Sequence, residues 1–156
     1  MPQYHADLWE AVKTIIGDTW PEVKANGIYR AREMARIPWD KKAEAGKLPL
    51  CVVDFAPDVS GDYGVANRAE VVTTTIYRIV GPADVDDVTG LIEDLEAFRS
   101  ALWPDDRSNP LTAGQVEEYP TISDSLNLPA NAYFLNTAKP FYAGAVIVRI
   151  IIGERD

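Results

Sequence analysis

The chain has 156 residues, the usual size of one domain, and 47% of them are hydrophobic, so it can bury a core without a metal or disulfide. Its net charge of −9 argues against a free nucleic-acid binder, because such proteins display a basic face. The single cysteine, Cys51, excludes an intrachain disulfide, and its apolar neighbours predict a buried structural thiol.

The first predicted element is an amphipathic helix. Leu8, Val12 and Ile16 recur at helical spacing, with Trp9 and Ile15 beside them, and together they form one apolar face. Gly17 and Pro21 are expected to end this helix, because both residue types interrupt helical structure.

Residues 22–49 are predicted to form mainly a long basic connection or arm, with a short strand at 27–29 and a helical turn at 30–36. They contain seven basic and four acidic residues, a charge of +3, so the rest of the chain carries −12. Either the segment is a solvated basic loop, or it docks on an acidic face of a neighbouring copy and orients assembly.

Two strands, at 50–55 and 70–80, are predicted next, since β-branched and aromatic residues dominate both. The turn-forming sequence 56–64 between them predicts an antiparallel hairpin. A second helix over 85–103 follows, with an apolar stripe from Val85 to Leu102 and acidic residues on its outer face. That acidic face is simply solvated, meets a basic partner, or lines an acidic channel.

The remaining predicted strands lie at 116–122, 133–137 and 145–152. Both faces of the last strand are largely apolar, which predicts a central strand covered on both sides, one of them by the second helix. The other cover is the first helix or another subunit. The fold class is therefore α+β, with a mostly antiparallel sheet of about four to five strands packed by two main helices in a single domain, 1–156.

No catalytic, cofactor-binding or metal-binding residue is predicted. The one histidine, His5, lies beside the N-terminus, so a Ser-His-Asp or Cys-His arrangement is not expected. Asp54, Asp58 and Asp62 lack the alternating spacing of a calcium loop. Glu117 and Glu118 would point to opposite sides of a strand, so they are not expected to converge on a substrate.

Surface charge and loop aromatics instead predict contacts with other protein chains, because arginine and aromatic side chains are favoured interface anchors. The alternative is that the aromatic rings close over the domain's own core. The candidate subunit-interface residues are Arg30, Arg32, Arg36, Trp39, Lys41, Lys42, Glu93, Asp94, Glu96, Phe141 and Tyr142.

The order of these elements resembles the small tail terminator and tail-completion (neck) proteins of long-tailed bacteriophages. The resemblance lies in the helix at 8–16, the sequence Leu-Pro-Leu-Cys-Val-Val at 48–53, the strand at 70–80, the acidic helix at 85–103 and the closing stretch 141–148. It covers nearly the whole chain, as an order of elements and without a short diagnostic motif. The basic segment 22–49 departs from the pattern.

This resemblance implies a structural virion protein that forms a ring, with a hexamer favoured. The ring would cap the tail tube, contact the tail tube protein and the head-tail connector or neck protein, and let DNA pass without specific binding. The protein would have no cofactor and no enzymatic activity. It would be made in the host cytoplasm, since residues 1–6 lack a signal-peptide pattern and no apolar run can span a bilayer.

Two alternatives stay open. One is a head-side neck protein, which would also form a ring, or another non-catalytic assembly adaptor, which predicts a small fixed oligomer or a hetero-complex. The other is a small enzyme or ligand-binding domain, which predicts a deep pocket with converging polar groups.

Overall fold

Two twelve-residue strands form the middle of the sheet in the computed structural model, which describes residues 2–36, 49–57, 69–80, 88–106, 108–111, 114–123 and 142–153. The elements in chain order are α1 (Pro2–Thr19), α2 (Pro21–Asn26), β1 (Ile28–Arg30), a 3₁₀ helix (Ala31–Arg36), β2 (Leu50–Pro57), β3 (Ala69–Val80), α3 (Val88–Leu102), β4 (Gln115–Val116), β5 (Thr121–Ser123) and β6 (Tyr142–Gly153).

The described sheet has six strands in the order β1, β2, β3, β6, with β4 and β5 both pairing with β6. Every pair is antiparallel except β1 with β2, where Ile28 lies opposite Cys51. The α+β class is therefore confirmed, but the sheet is mixed. Parallel strands need a connection of a dozen or more residues, and β1 and β2 are far enough apart in the sequence to allow one.

The predicted hairpin and the central position of the last strand are both confirmed. β2 and β3 pair along their lengths, from Leu50 opposite Ile79 to Pro57 opposite Val72. On its other side β3 pairs with β6 throughout, so that Arg78 lies opposite Gly144. β6 therefore has β3 on one side and β4 and β5 on the other.

The first helix does not stop at Gly17, which is buried inside α1. Pro21 does not end it either, but starts the six-residue α2. The reason is that proline at the first position of a helix lacks only an N–H that would be unpaired there. Trp20, with φ of −128° and ψ of 82°, forms the corner between the two helices.

The described helices bury their side chains on one face of the sheet. Leu8, Val12 and Ile16 of α1 and Leu95 and Phe98 of α3 share a single core cluster with alternating strand residues. Those strand residues are Cys51, Val53, Val72, Ile76, Val80, Val116, Val146, Val148, Ile150 and Ile152. Of the two covers proposed for the other face, α1 is thus wrong, since α1 and α3 pack on the same side, and cover by another subunit stays a prediction.

The opposite face of the sheet is also apolar in part. Leu50, Val52, Val71, Tyr77 and Ile79 are buried there, and none of them belongs to the cluster beneath the described helices. Both faces of the long strands therefore lie in buried surroundings, as their nearly continuous apolar sequence predicts.

The segment predicted as one strand at 116–122 forms two short strands, β4 and β5. Pro120 lies between them, and a proline cannot donate a hydrogen bond to a β-ladder. The strand predicted at 133–137 lies outside the described residues. None of the helices in the described ranges combines the length and the apolar character needed to cross a membrane.

Candidate functional site

The predicted basic interface begins in a rigid part of the domain. Arg30 ends β1, and its guanidinium lies 5.7 Å from the ring centre of Trp9 and 5.4 Å from that of Phe55. Its backbone N–H donates to Glu33 Oε1 at 3.0 Å, which joins β1 to the 3₁₀ helix. Lys13 Nζ lies 5.0 Å from the centre of the same Trp9 ring. Cation–π contacts thus hold two positive groups at one flank of α1.

Arg32 follows on the 3₁₀ helix with its side chain exposed to solvent. Lys13, Arg30 and Arg32 together are called the cationic flank below. The described part of the 22–49 segment is therefore α2, β1 and the 3₁₀ helix packed on the sheet. The remainder of the predicted arm, residues 37–48, lies outside the described residues.

The acidic outer face predicted for α3 divides into two environments. Glu93 and Glu96 are exposed, as a contact surface requires. Asp94 instead turns toward the sheet, where its Oδ2 lies 3.2 Å from Arg78 Nε. A second carboxylate, Glu22 of α2, accepts a hydrogen bond from Arg78 Nη2 at 3.0 Å.

Arg78 connects three elements from a buried position on β3. Only 6% of its side chain is exposed, against 47% for Glu22 and 37% for Asp94. Its guanidinium lies 4.7 Å from the ring centre of Trp20, which itself stacks on Phe98 at 4.8 Å. The cluster therefore fixes the α1–α2 corner and α3 against β3, which indicates a structural role for these charges.

Cys51 lies opposite Arg78 in the β2–β3 register and is fully buried, as the sequence predicts. Burial raises the pKa of its thiol well above the ordinary value, and the nearby Arg78 charge offsets this only in part. A thiol with such a pKa is protonated at neutral pH, and its neutral form is a poor nucleophile.

An acid-rimmed groove runs along the other flank of α1, away from Trp9. Its volume is about 560 Å³. Asp7, Glu10 and Asp18 supply carboxylates, and Ala101 at the end of α3 with Pro110 closes the far wall. Glu10 also pairs with Lys13 at 2.8 Å. The groove thus offers an apolar floor with negative charge at its rim, and among the described residues none of the predicted interface set lines it.

Other predicted positions are distributed as follows. The side chains of Arg36 and Tyr142 and the whole of Trp39, Lys41, Lys42 and Phe141 lie outside the described residues, as do Asp58 and Asp62 of the rejected calcium motif. Asp54 lies within β2, and Glu117 pairs with Arg149 across 3.0 Å. Within the described ranges, no three His, Cys, Asp or Glu side chains are grouped as metal ligands would be.

The sequence reasoning missed the Arg78 cluster, although a signal was present. Arg78 is the only charged residue in the stretch from Val71 to Val80. A lone charge in a strand buried on both faces needs a partner, because an unpaired buried charge is costly. Its partners Glu22 and Asp94 lie 56 positions before it and 16 after it, so sequence spacing could not identify them.

The chain matches no protein-family model and no curated protein.

Proposed function

We propose that this chain is a non-catalytic ring subunit of the kind that terminates the tail tube of a long-tailed bacteriophage. The observation that carries the proposal is the cationic flank, where Arg30 and Arg32 are displayed at one edge of a chain whose residues outside 22–49 carry −12. Subunits that join head to tail in a closed ring need two unlike, complementary surfaces on one molecule.

The rigidity of this flank supports the proposal. β1 pairs with β2 through Arg30 opposite Val53, and the Arg30 guanidinium lies over Trp9 and Phe55. The position of the positive charge is therefore set before any partner binds. A charge held in place loses less conformational entropy on association than one at the end of a free loop.

The two edges of the described sheet favour contacts between subunits that are made by side chains. They do not favour a sheet that continues from one subunit into the next. β1 has three residues at one edge, and β4 and β5 have two and three at the other. Short edge strands offer few unpaired backbone groups to a neighbouring strand. A ring built from these subunits would therefore be held by charged and apolar side chains.

The acidic balance is suited to a channel through which DNA passes. A protein that retains DNA neutralises phosphates with lysine and arginine. A ring of subunits that each carry a net charge of −9 would on balance repel phosphates and let the duplex slide. In this proposal the ring lies in the virion between the tail tube protein and the connector or neck protein, and its subunits assemble in the host cytoplasm.

Native mass spectrometry over a wide concentration range, with negative-stain images of the same sample, tests the proposal. We expect a closed cyclic oligomer, with six copies favoured. A chain that stays a monomer or dimer at every concentration, both alone and with tail tubes added, would contradict it. A small fixed oligomer that does not close would favour the adaptor alternative.

A further inference from the structure

The structure shows two unlike surfaces on opposite flanks of α1. Helical spacing places Asp7, Ala11 and Asp18 on one side of the buried stripe Leu8–Val12–Ile16, and Trp9 and Lys13 on the other side. The first flank lines the acid-rimmed groove, and the second belongs to the cationic flank. One rigid helix therefore presents negative charge in one direction and positive charge in another.

We infer that the acid-rimmed groove between α1 and the end of α3 receives the cationic flank of a second copy of this chain. The inference rests on the proposed ring assembly and identifies the two surfaces that meet in it. Charge complementarity selects this occupant, because the carboxylates of Asp7 and Asp18 line the groove. On the opposite flank Arg30 lies over Trp9, and Arg32 is exposed two residues further along, on the 3₁₀ helix.

The groove also fits the chemistry of an arginine-rich partner. Its floor includes Ala11, Ile15 and Pro110, while its rim carries the carboxylates. An arginine side chain packs its apolar stem along such a floor and keeps its guanidinium at the acidic rim. The contact differs from one made by the exposed Glu93 and Glu96, because neither residue lines the acid-rimmed groove.

A head-to-tail geometry follows from this placement. The groove and the cationic flank lie on different sides of the same helix, so a copy whose groove is filled still has its cationic flank free. Repeating such a contact generates a ring when the rotation closes. A twofold dimer would need the two contacts to form reciprocally between the same two copies, and the number of copies in the assembly distinguishes this from a ring.

The decisive experiment compares two charge reversals of equal size. Asp7→Lys with Asp18→Lys alters the groove, and Glu93→Lys with Glu96→Lys alters the exposed face of α3. The groove variant is expected to raise the concentration for half-maximal assembly by about 100-fold, because like charges would then face each other across the contact. The α3 variant is expected to assemble as the unchanged chain does.

A compensating change makes the test specific. Arg30→Glu with Arg32→Glu should abolish assembly alone, and the four changes combined in one chain should restore it, because both surfaces are then reversed. Neither double variant should assemble alone, but a 1:1 mixture of the two should assemble with the variants alternating, since each flank then meets a groove of opposite charge on its neighbour. Circular dichroism and the melting temperature of each variant check that the fold is retained.

The outcomes separate this inference from the proposed function. If the ring persists in the groove variant, or is lost only in the α3 variant, the inference is overturned. The proposal that the unchanged chain forms a ring would still stand. An open oligomer disrupted by the groove variant and restored by the fourfold variant would support the inference and contradict the ring. A monomer at all concentrations would overturn both.

Discussion

The guanidinium of Arg78 lies 4.7 Å from the ring centre of Trp20, and Trp20 stacks on Phe98 of α3. A charged strand residue therefore lies between two helices, with one carboxylate from each helix beside it. Among the described residues Arg78 Nη1 has no hydrogen-bond partner, so the guanidinium depends on Glu22 and Asp94 for its compensation. Removing either carboxylate should weaken the packing of its helix.

Asp94→Asn should destabilise the fold by about 1–3 kcal/mol, because it removes one negative partner of a buried charge. The lower part of that range is favoured, since the Asp94 side chain is 37% exposed and water can compensate in part. Urea unfolding followed by circular dichroism measures the change. Glu93→Gln is the matched control on the exposed side of the same helix, and equal losses in both variants would contradict a specific role for Asp94.

Gly27→Ala should destabilise the chain by about 1–3 kcal/mol, because alanine is strained at this positive φ. The φ of Gly27 is 137°, and an added Cβ would lie 2.7 Å from Cζ of the Tyr29 ring. Thermal unfolding measures the difference.

Gly17→Ala provides the contrasting control. Its added Cβ would meet Lys24 Cδ at 3.1 Å, and that flexible side chain can move away. Gly17 lies within α1, where alanine is favoured over glycine by about 1 kcal/mol. We expect no loss of stability or a small gain, and a loss as large as that of Gly27→Ala would show that the positive φ is not the cause.

Thr74→Val should stabilise the protein by about 1 kcal/mol, because it removes a buried hydroxyl and keeps the shape of the side chain. Thr74 is fully buried on the helix-covered face of β3, and its Oγ1 has no hydrogen-bond partner among the described residues. Chemical denaturation measures the gain. Thr75→Val, at the next, half-buried position on the other face, should change stability less; a larger gain there would refute the argument.

The stability of the chain should fall as the pH rises above the ordinary thiol pKa of 9.0, in part through Cys51. Its pKa is raised in the folded state, so the folded chain keeps a proton that the unfolded chain releases. The stability difference between the unchanged chain and Cys51→Ala should therefore shrink by about 1.4 kcal/mol in total between pH 7 and 10, most of it above pH 9. Urea denaturation from pH 7 to 10 provides the comparison.

A thiol reagent gives an independent check on Cys51. The native protein should not react with a small disulfide reagent at neutral pH, and urea should release one thiol per chain. Rapid reaction of the folded protein would contradict the buried, protonated state.

The local sequence pattern was sufficient to predict two kinds of element. These are elements whose partners are close in sequence and elements whose apolar pattern extends over many residues. The stripe from Leu8 to Ile16 predicted α1, and the β-branched run at 70–80 predicted β3 together with its hairpin partner. Cys51 was correctly placed in the core because apolar neighbours on both sides leave a small thiol little access to water. These features depend on periods of 3.6 and 2 residues, which the sequence displays directly.

Contacts between residues that are far apart in the sequence could be identified only from the tertiary structure. The sequence by itself determined the α+β class, the central last strand and the uneven charge of residues 22–49. Only the folded chain decided that β1 joins the sheet in parallel, that α1 and α3 share one face, and that Asp94 turns inward to Arg78. The physical reason is that these outcomes depend on contacts between residues far apart in the chain, whose free energy exists only when the layers pack together.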